Sequence, residues 1–319
     1  MTKPKTALEK VLAELADGAP PSERALQVFS DLDPASLETV MLAWPGIPLK
    51  QKILLLDGLH GLADENTLVS FDDLARRLLT DVDGPVRARA IRLLDEAEDP
   101  KLTSAFIRIL TADEDPETRR EAAAALGRFV ELGELERIPA ENLRSVEEAL
   151  LHKANGEDQA IVRRSAVESL GYSSRPEVVT LIESSVRRQD PDWQASALLA
   201  MGVSSDERWE EPVLERLLEA NPVVRLAAVK AAGELRLAAA RPLLFQVLQE
   251  EDDEQTSSAA IWSLSQIGGE DARIYIQDLL AAADDEEVVQ FLEEALENLE
   301  FTDELNSFDL MAVDPDLDE

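Results

Sequence analysis

The sequence predicts an all-α solenoid of about seven to eight helical pairs, and three observations carry that prediction. One short pattern recurs along the chain at a nearly fixed period. Within each copy the apolar residues follow the 3.6-residue spacing of a helix. No segment argues for a strand.

The copies read Pro85–Leu94, Glu117–Gly127, Ile161–Gly171, Asp192–Gly202, Val223–Gly233 and Gln255–Leu264, with a weaker one at Glu287–Leu296. A slot held most often by arginine serves as a ruler: Arg87, Arg119, Arg163, Gln194, Arg225, Ser257, Val289. Its intervals are 32, 44, 31, 31, 32 and 32 residues. The one long interval is a period plus about twelve residues, which assigns an insertion near 131–142.

Each unit reads as two helices. The first is a Leu/Val/Ile segment: 102–110, 143–151, 178–186, 213–218, 243–248 and 274–280. An Asp- or Asn-rich turn follows, such as Asp113-Glu-Asp-Pro or Asn221-Pro. Asp or Asn before a proline at the first helical position is a helix start. The second helix holds the ruler, with apolar or small residues one before it and three, four and seven after it. Alanine at the third position, Ala90 through Ala260, allows a neighbouring helix to come close. Gly127, Gly171, Gly202 and Gly233 stand where a left-handed C-terminal cap is expected.

Residues 1–80 predict an irregular helical cap, as terminal repeats of a stack require. Thr6–Asp17 is amphipathic, 22–32 and 35–43 form a pair, and 48–62 is a degenerate second helix with Lys50 in the ruler slot. Residues 81–299 are the repeats, and 300–319 are an acidic tail.

The pattern Val-Arg-x-x-Ala-x-x-Ala-Leu-Gly after an Asp turn resembles the HEAT-repeat family, in particular the short bacterial type also found in phycobilin lyases. The resemblance covers roughly residues 81–299 and departs at Gln194, Ser257 and Val289. It implies a right-handed α–α superhelix whose second helices line a concave face. It also implies that the repeated arginines bond an Asp of a neighbouring turn, forming a ladder. The HEAT-like deoxyhypusine hydroxylases hold iron through several His-Glu pairs, and this sequence has none.

Composition narrows the function. Against 66 Asp and Glu stand 31 Lys and Arg, a net charge of −35. Such a field opposes nucleic acid and anionic membranes. There are no cysteines and two histidines, His60 and His152, neither with a neighbour at ligand spacing. No triad, phosphate loop or metal set can be assembled, so neither an enzyme nor a cofactor is expected. No apolar run follows the basic residues at the start, and no transmembrane run is present, which predicts a cytoplasmic protein. The charge is uneven: 243–319 hold 23 acidic residues and one basic one, Arg273, while 1–242 hold 43 and 30.

The leading expectation is therefore a non-catalytic scaffold or adaptor for another protein or peptide, with the acidic end favouring a basic partner. The resemblance supplies the alternative, a phycobilin-lyase-like factor that handles a chromophore or cofactor. Positions one, five and nine after the ruler form the stripe facing away from the apolar one. It predicts a groove with a basic early wall at Arg120, Arg128 and Arg164, beside Tyr172. An apolar middle follows at Leu199, Leu226 and Trp262, with Lys230 among them. The acidic tail, with Phe301, Leu305, Phe308, Leu310 and Met311, is a second candidate docking element.

Overall fold

A computed structural model of the chain describes residues 6–250 and 253–312. These residues are helical with short turns and divide into two compact units, Met1–Leu170 and Gly171–Glu319. The fold class is the expected all-α solenoid.

The first unit begins with α1 (Ala7–Ala16), α2 (Glu23–Leu26) and α3 (Pro34–Ala43). Then come α4 (Leu49–Glu65), α5 (Asp72–Leu78), α6 (Gly84–Arg92), α7 (Lys101–Ala112), α8 (Pro116–Glu134), α9 (Ala140–Asn155) and α10 (Ala160–Leu170). Helices α4, α6, α8 and α10 stack side by side as one layer, and α5, α7 and α9 back them as a second. Thr6 opens α1 with a reciprocal capping box to Glu9.

In the second unit α11 (Pro176–Val186) pairs with α12 (Pro191–Val203) and α13 (Glu210–Leu214) with α14 (Pro222–Glu234). The pairs α15 (Arg241–Glu250) with α16 (Glu254–Ile267) and α17 (Glu270–Ala282) with α18 (Glu286–Ala312) complete it. Helices α12, α14, α16 and α18 form the continuous layer.

Side chains in the turns start the second helices as expected. Asp115, Asp190, Asn221 and Asp253 each accept from a backbone N–H two or three residues on. The twelve extra residues lengthen two helices and make no separate loop. Helix α8 has 19 residues and α9 has 16, against 13 in α12 and 11 in α11.

Three local expectations change. The ruler-position bond in the first pairs belongs to Lys52, not Lys50. Lys52 is buried, lies over the Trp44 ring at 5.5 Å and reaches Asp83 at 3.4 Å, whereas Lys50 is exposed. The glycines after Ala-Leu are not left-handed caps. Gly127, Gly202 and Gly233 lie inside α8, α12 and α14, and Ser205 and Arg236 adopt the left-handed conformation instead, at φ 53° and 51°. Glycine is required there because the next second helix crosses at its backbone: a Cβ on Gly202 would stand 2.9 Å from the Ala231 Cα. Finally, α18 runs past residue 299 to Ala312, so the first part of the expected tail is helical.

Candidate functional site

The ruler residues occupy a repeated position, and their partners explain the arginine. Arg87, Arg119, Gln194 and Arg225 each donate to the backbone carbonyl six residues earlier, which belongs to the turn between the paired helices. In the first unit the guanidinium then continues to the next turn. Arg87 forks onto Asp113 at 2.7 and 2.6 Å, and Arg119 onto Asp158 at 3.0 and 2.7 Å. These carboxylates are nearly buried. Burial alone would raise the Asp158 carboxyl, but bonds from Arg119 and Lys153 override it and hold the group far below its ordinary 3.8. The Asp113 carboxyl is lowered in the same way: burial opposes, and the Arg87 bond prevails. The ladder that the resemblance implies is present at these rungs.

The basic wall is largely engaged by the chain itself. Arg120 pairs with Glu117 at 2.7 Å and with the buried Glu121, which also receives Arg92. Arg128 bridges Glu98 and Glu131, each at 2.8 Å. Arg164 is half-buried and has its own partners. Arg120 and Arg128 thus lie in the first unit as parts of internal ion networks.

The apolar middle is a real concavity. Within the second unit, α12, α14, α16 and α18 frame a groove of about 490 Å³. Leu199, Val203, Trp262 and Phe291 provide its large apolar surfaces, with Ala231 and Ala259 between them. Trp262 is 38 % exposed and lines the groove. Lys230 and Glu234 stand one turn apart on α14 along its edge. Glu234 accepts from the Gln266 amide at 3.2 Å. Leu199, Lys230 and Trp262 of the expected residues converge here. Leu226 and Tyr172 are half-buried and do not line the groove. On the same stripe Ala88 and Ala195 are buried.

Phe291 is what the stripe missed. It lies two positions after Val289, one residue off the stripe, and enters the groove from α18. A large residue at an off-stripe position of the last copy was the available signal.

Of the tail residues, Phe301 is 60 % and Leu305 37 % exposed on α18. Phe308, Leu310 and Met311 fall where side chains lie outside the described residues. Among the described residues, no group of three or more His, Asp or Glu side chains could hold a metal ion, and no helix is long and apolar enough to cross a membrane.

Paired helices stacked at a near-constant period, with an open groove on the second-helix layer, define a helical-repeat scaffold. The HEAT-repeat model matches residues 71–161 and 210–297, and the chain belongs to that family. No curated protein matches the sequence. Similar solved structures include YibA of E. coli, 19% identical over 75% of this chain and 96% of that one, TM-score 0.44. Human deoxyhypusine hydroxylase is 16% identical over 82% and 95%, TM-score 0.35. Kap95p, solved with RanGDP, is 15% identical over 92% of this chain and 45% of its own, TM-score 0.46.

Proposed function

We propose that this protein is a non-catalytic, cytoplasmic HEAT-repeat adaptor that holds a segment of another protein in the groove between Leu199, Val203, Trp262 and Phe291. The observation that carries the reading is an open aromatic and aliphatic surface with a polar edge, the arrangement of a protein-binding hot spot. The partner is basic: acidic residues far outnumber basic ones from 243 onward, and Arg273, the one base there, is held by Glu300 and Asp303.

Affinity capture with the wild-type chain and with Leu199→Ala/Trp262→Ala, eluted along a salt gradient, tests it. The expected result is a basic protein retained by the wild type, released at moderate salt and lost from the variant while its helical signal is intact. Identical capture by both proteins sinks the proposal. The groove volume also lies within the range of small-molecule sites, which supports the chromophore-handling alternative. Pigment absorbance after co-expression with a bilin would favour that reading.

A further inference from the structure

Helix α18 has 27 residues, about twice the 14 of α16 and 13 of α17 that it packs against. Its contacts decide which face is free. Leu292, Ala295, Leu299 and Thr302, spaced three and four apart, are buried against the unit. Asp303 then pins the helix, accepting from the Gly269 N–H at 3.0 Å and from Arg273 at 2.7 Å. With that face fixed, Phe301 and Leu305, one turn apart, are held outward.

Phe301 is the most exposed aromatic side chain among the described residues. Glu294, Glu297 and Glu304 share its side of the helix by spacing, and Glu294, Glu297 and Glu300 are exposed. No lysine or arginine follows Arg273 in the sequence. The surface is thus two apolar anchors within a rim of one sign.

We propose that the outer face of α18 at Phe301 and Leu305 is a docking helix that lays its apolar stripe into a groove of a basic protein, with lysines or arginines of that groove meeting the glutamate rim. The inference rests on the basic-partner reading above and adds a second surface, ten residues further along α18 than Phe291 of the groove. Charge complementarity selects the occupant. A second copy would bring the same acidic rim against this one, and an anionic lipid surface would be repelled. A helix seated in a groove uses apolar anchors at one-turn spacing, and a charged rim governs encounter and salt dependence.

The test uses the full chain and a labelled synthetic helix of leucine and lysine, amphipathic by design, read by fluorescence anisotropy. An oligolysine of equal charge is the control. Phe301→Ala/Leu305→Ala is expected to weaken the amphipathic peptide by about tenfold or more. Glu294→Gln/Glu297→Gln is expected to weaken it severalfold at low salt and little at high salt. Leu199→Ala/Trp262→Ala is expected to leave it unchanged, so failure of the groove reading and failure of this one are separable. Both anchors are exposed, and an unchanged thermal transition confirms that the variants fold. Equal affinity for the wild type and Phe301→Ala/Leu305→Ala overturns the proposal. So does equal binding of oligolysine and the amphipathic peptide. Self-association of the free chain that the anchor variant abolishes also overturns it.

Discussion

Arg119 and Gln194 occupy the same slot of the repeat and reach different ends. Both donate at 2.7 Å to a carbonyl six residues back, closing the turn of their own pair. Arg119 then spans to Asp158 of the following turn, whereas the Gln194 amide stops at the carbonyl. Further along, Ser257 and Val289 cannot form a charged rung at all. Close backbone approach joins second helices in both units, and in the first Ser169 donates to the Ala123 carbonyl at 2.8 Å. Ser263 donates to the Val229 carbonyl at 2.8 Å, and Gly202 meets Ala231. The difference teaches that one repeat pattern, joined throughout by proximity, can add a charged rung at the ruler slot or do without one. It also bears on the uneven field: from residue 243 onward 23 acidic residues stand against one base, Arg273, so few of them can have a cationic partner there.

Removing a rung should have the largest effect. Asp158 is 7 % exposed and receives both Arg119 and Lys153, so Asp158→Ala leaves two cations without their partner. Breaking a buried pair from one side costs about 3–5 kcal/mol. Denaturant unfolding of the variant should show a loss near that range, and a loss below about 1 kcal/mol would break the comparison. The pH dependence has a definite sign. The folded Asp158 and Asp113 carboxyls lie below the ordinary 3.8. Their stabilisation is complete above that value and disappears as pH falls below it. Wild-type stability should therefore drop on acidification below about pH 4, with a shallower slope in Asp158→Ala.

The corresponding test of the second unit is Gly202→Val. Its Cβ would meet the Ala231 Cα at 2.9 Å, a contact that the backbone must yield to relieve. Overpacking of this kind costs about 1–3 kcal/mol. The loss should be insensitive to salt, since no charge is involved. A strong salt dependence would show that proximity is not what joins α12 to α14.

Much of this contrast was legible in the sequence. The ruler gave the period, the Asp-Pro turns gave the helix starts, and the stripe placed Leu199, Lys230 and Trp262 together. Other features were not, for identifiable reasons. A left-handed cap and a close helix crossing both select glycine, so Gly202 and Gly233 looked alike under either explanation. Arg128 looked available in part because Glu98, one of its two partners, sits thirty residues away in a turn without a repeat signature. Lys52 escaped notice because its burial over the Trp44 ring comes from packing, which the spacing of the repeat does not report. Periodicity reports which face a residue shares, but not whether another chain segment has already taken its charge.

The smallest expected effect is the most direct on the comparison, because it tries to move a rung from one unit to the other. Counting six residues back from the next ruler position, Asp113 before Arg119 corresponds to Glu219 before Arg225. Gln194→Arg would therefore extend toward a carboxylate already in register. Glu219 is exposed, so the new pair forms in high dielectric and should add at most about 1 kcal/mol. The gain should vanish in Gln194→Arg/Glu219→Gln, and a double-mutant cycle isolates the coupling. If the arginine stabilises equally without Glu219, its added length is packing against the turn and the slot is not a rung there. A coupling that fades with salt would mean that the slot of α12 kept the geometry of the ladder and lost only its charge.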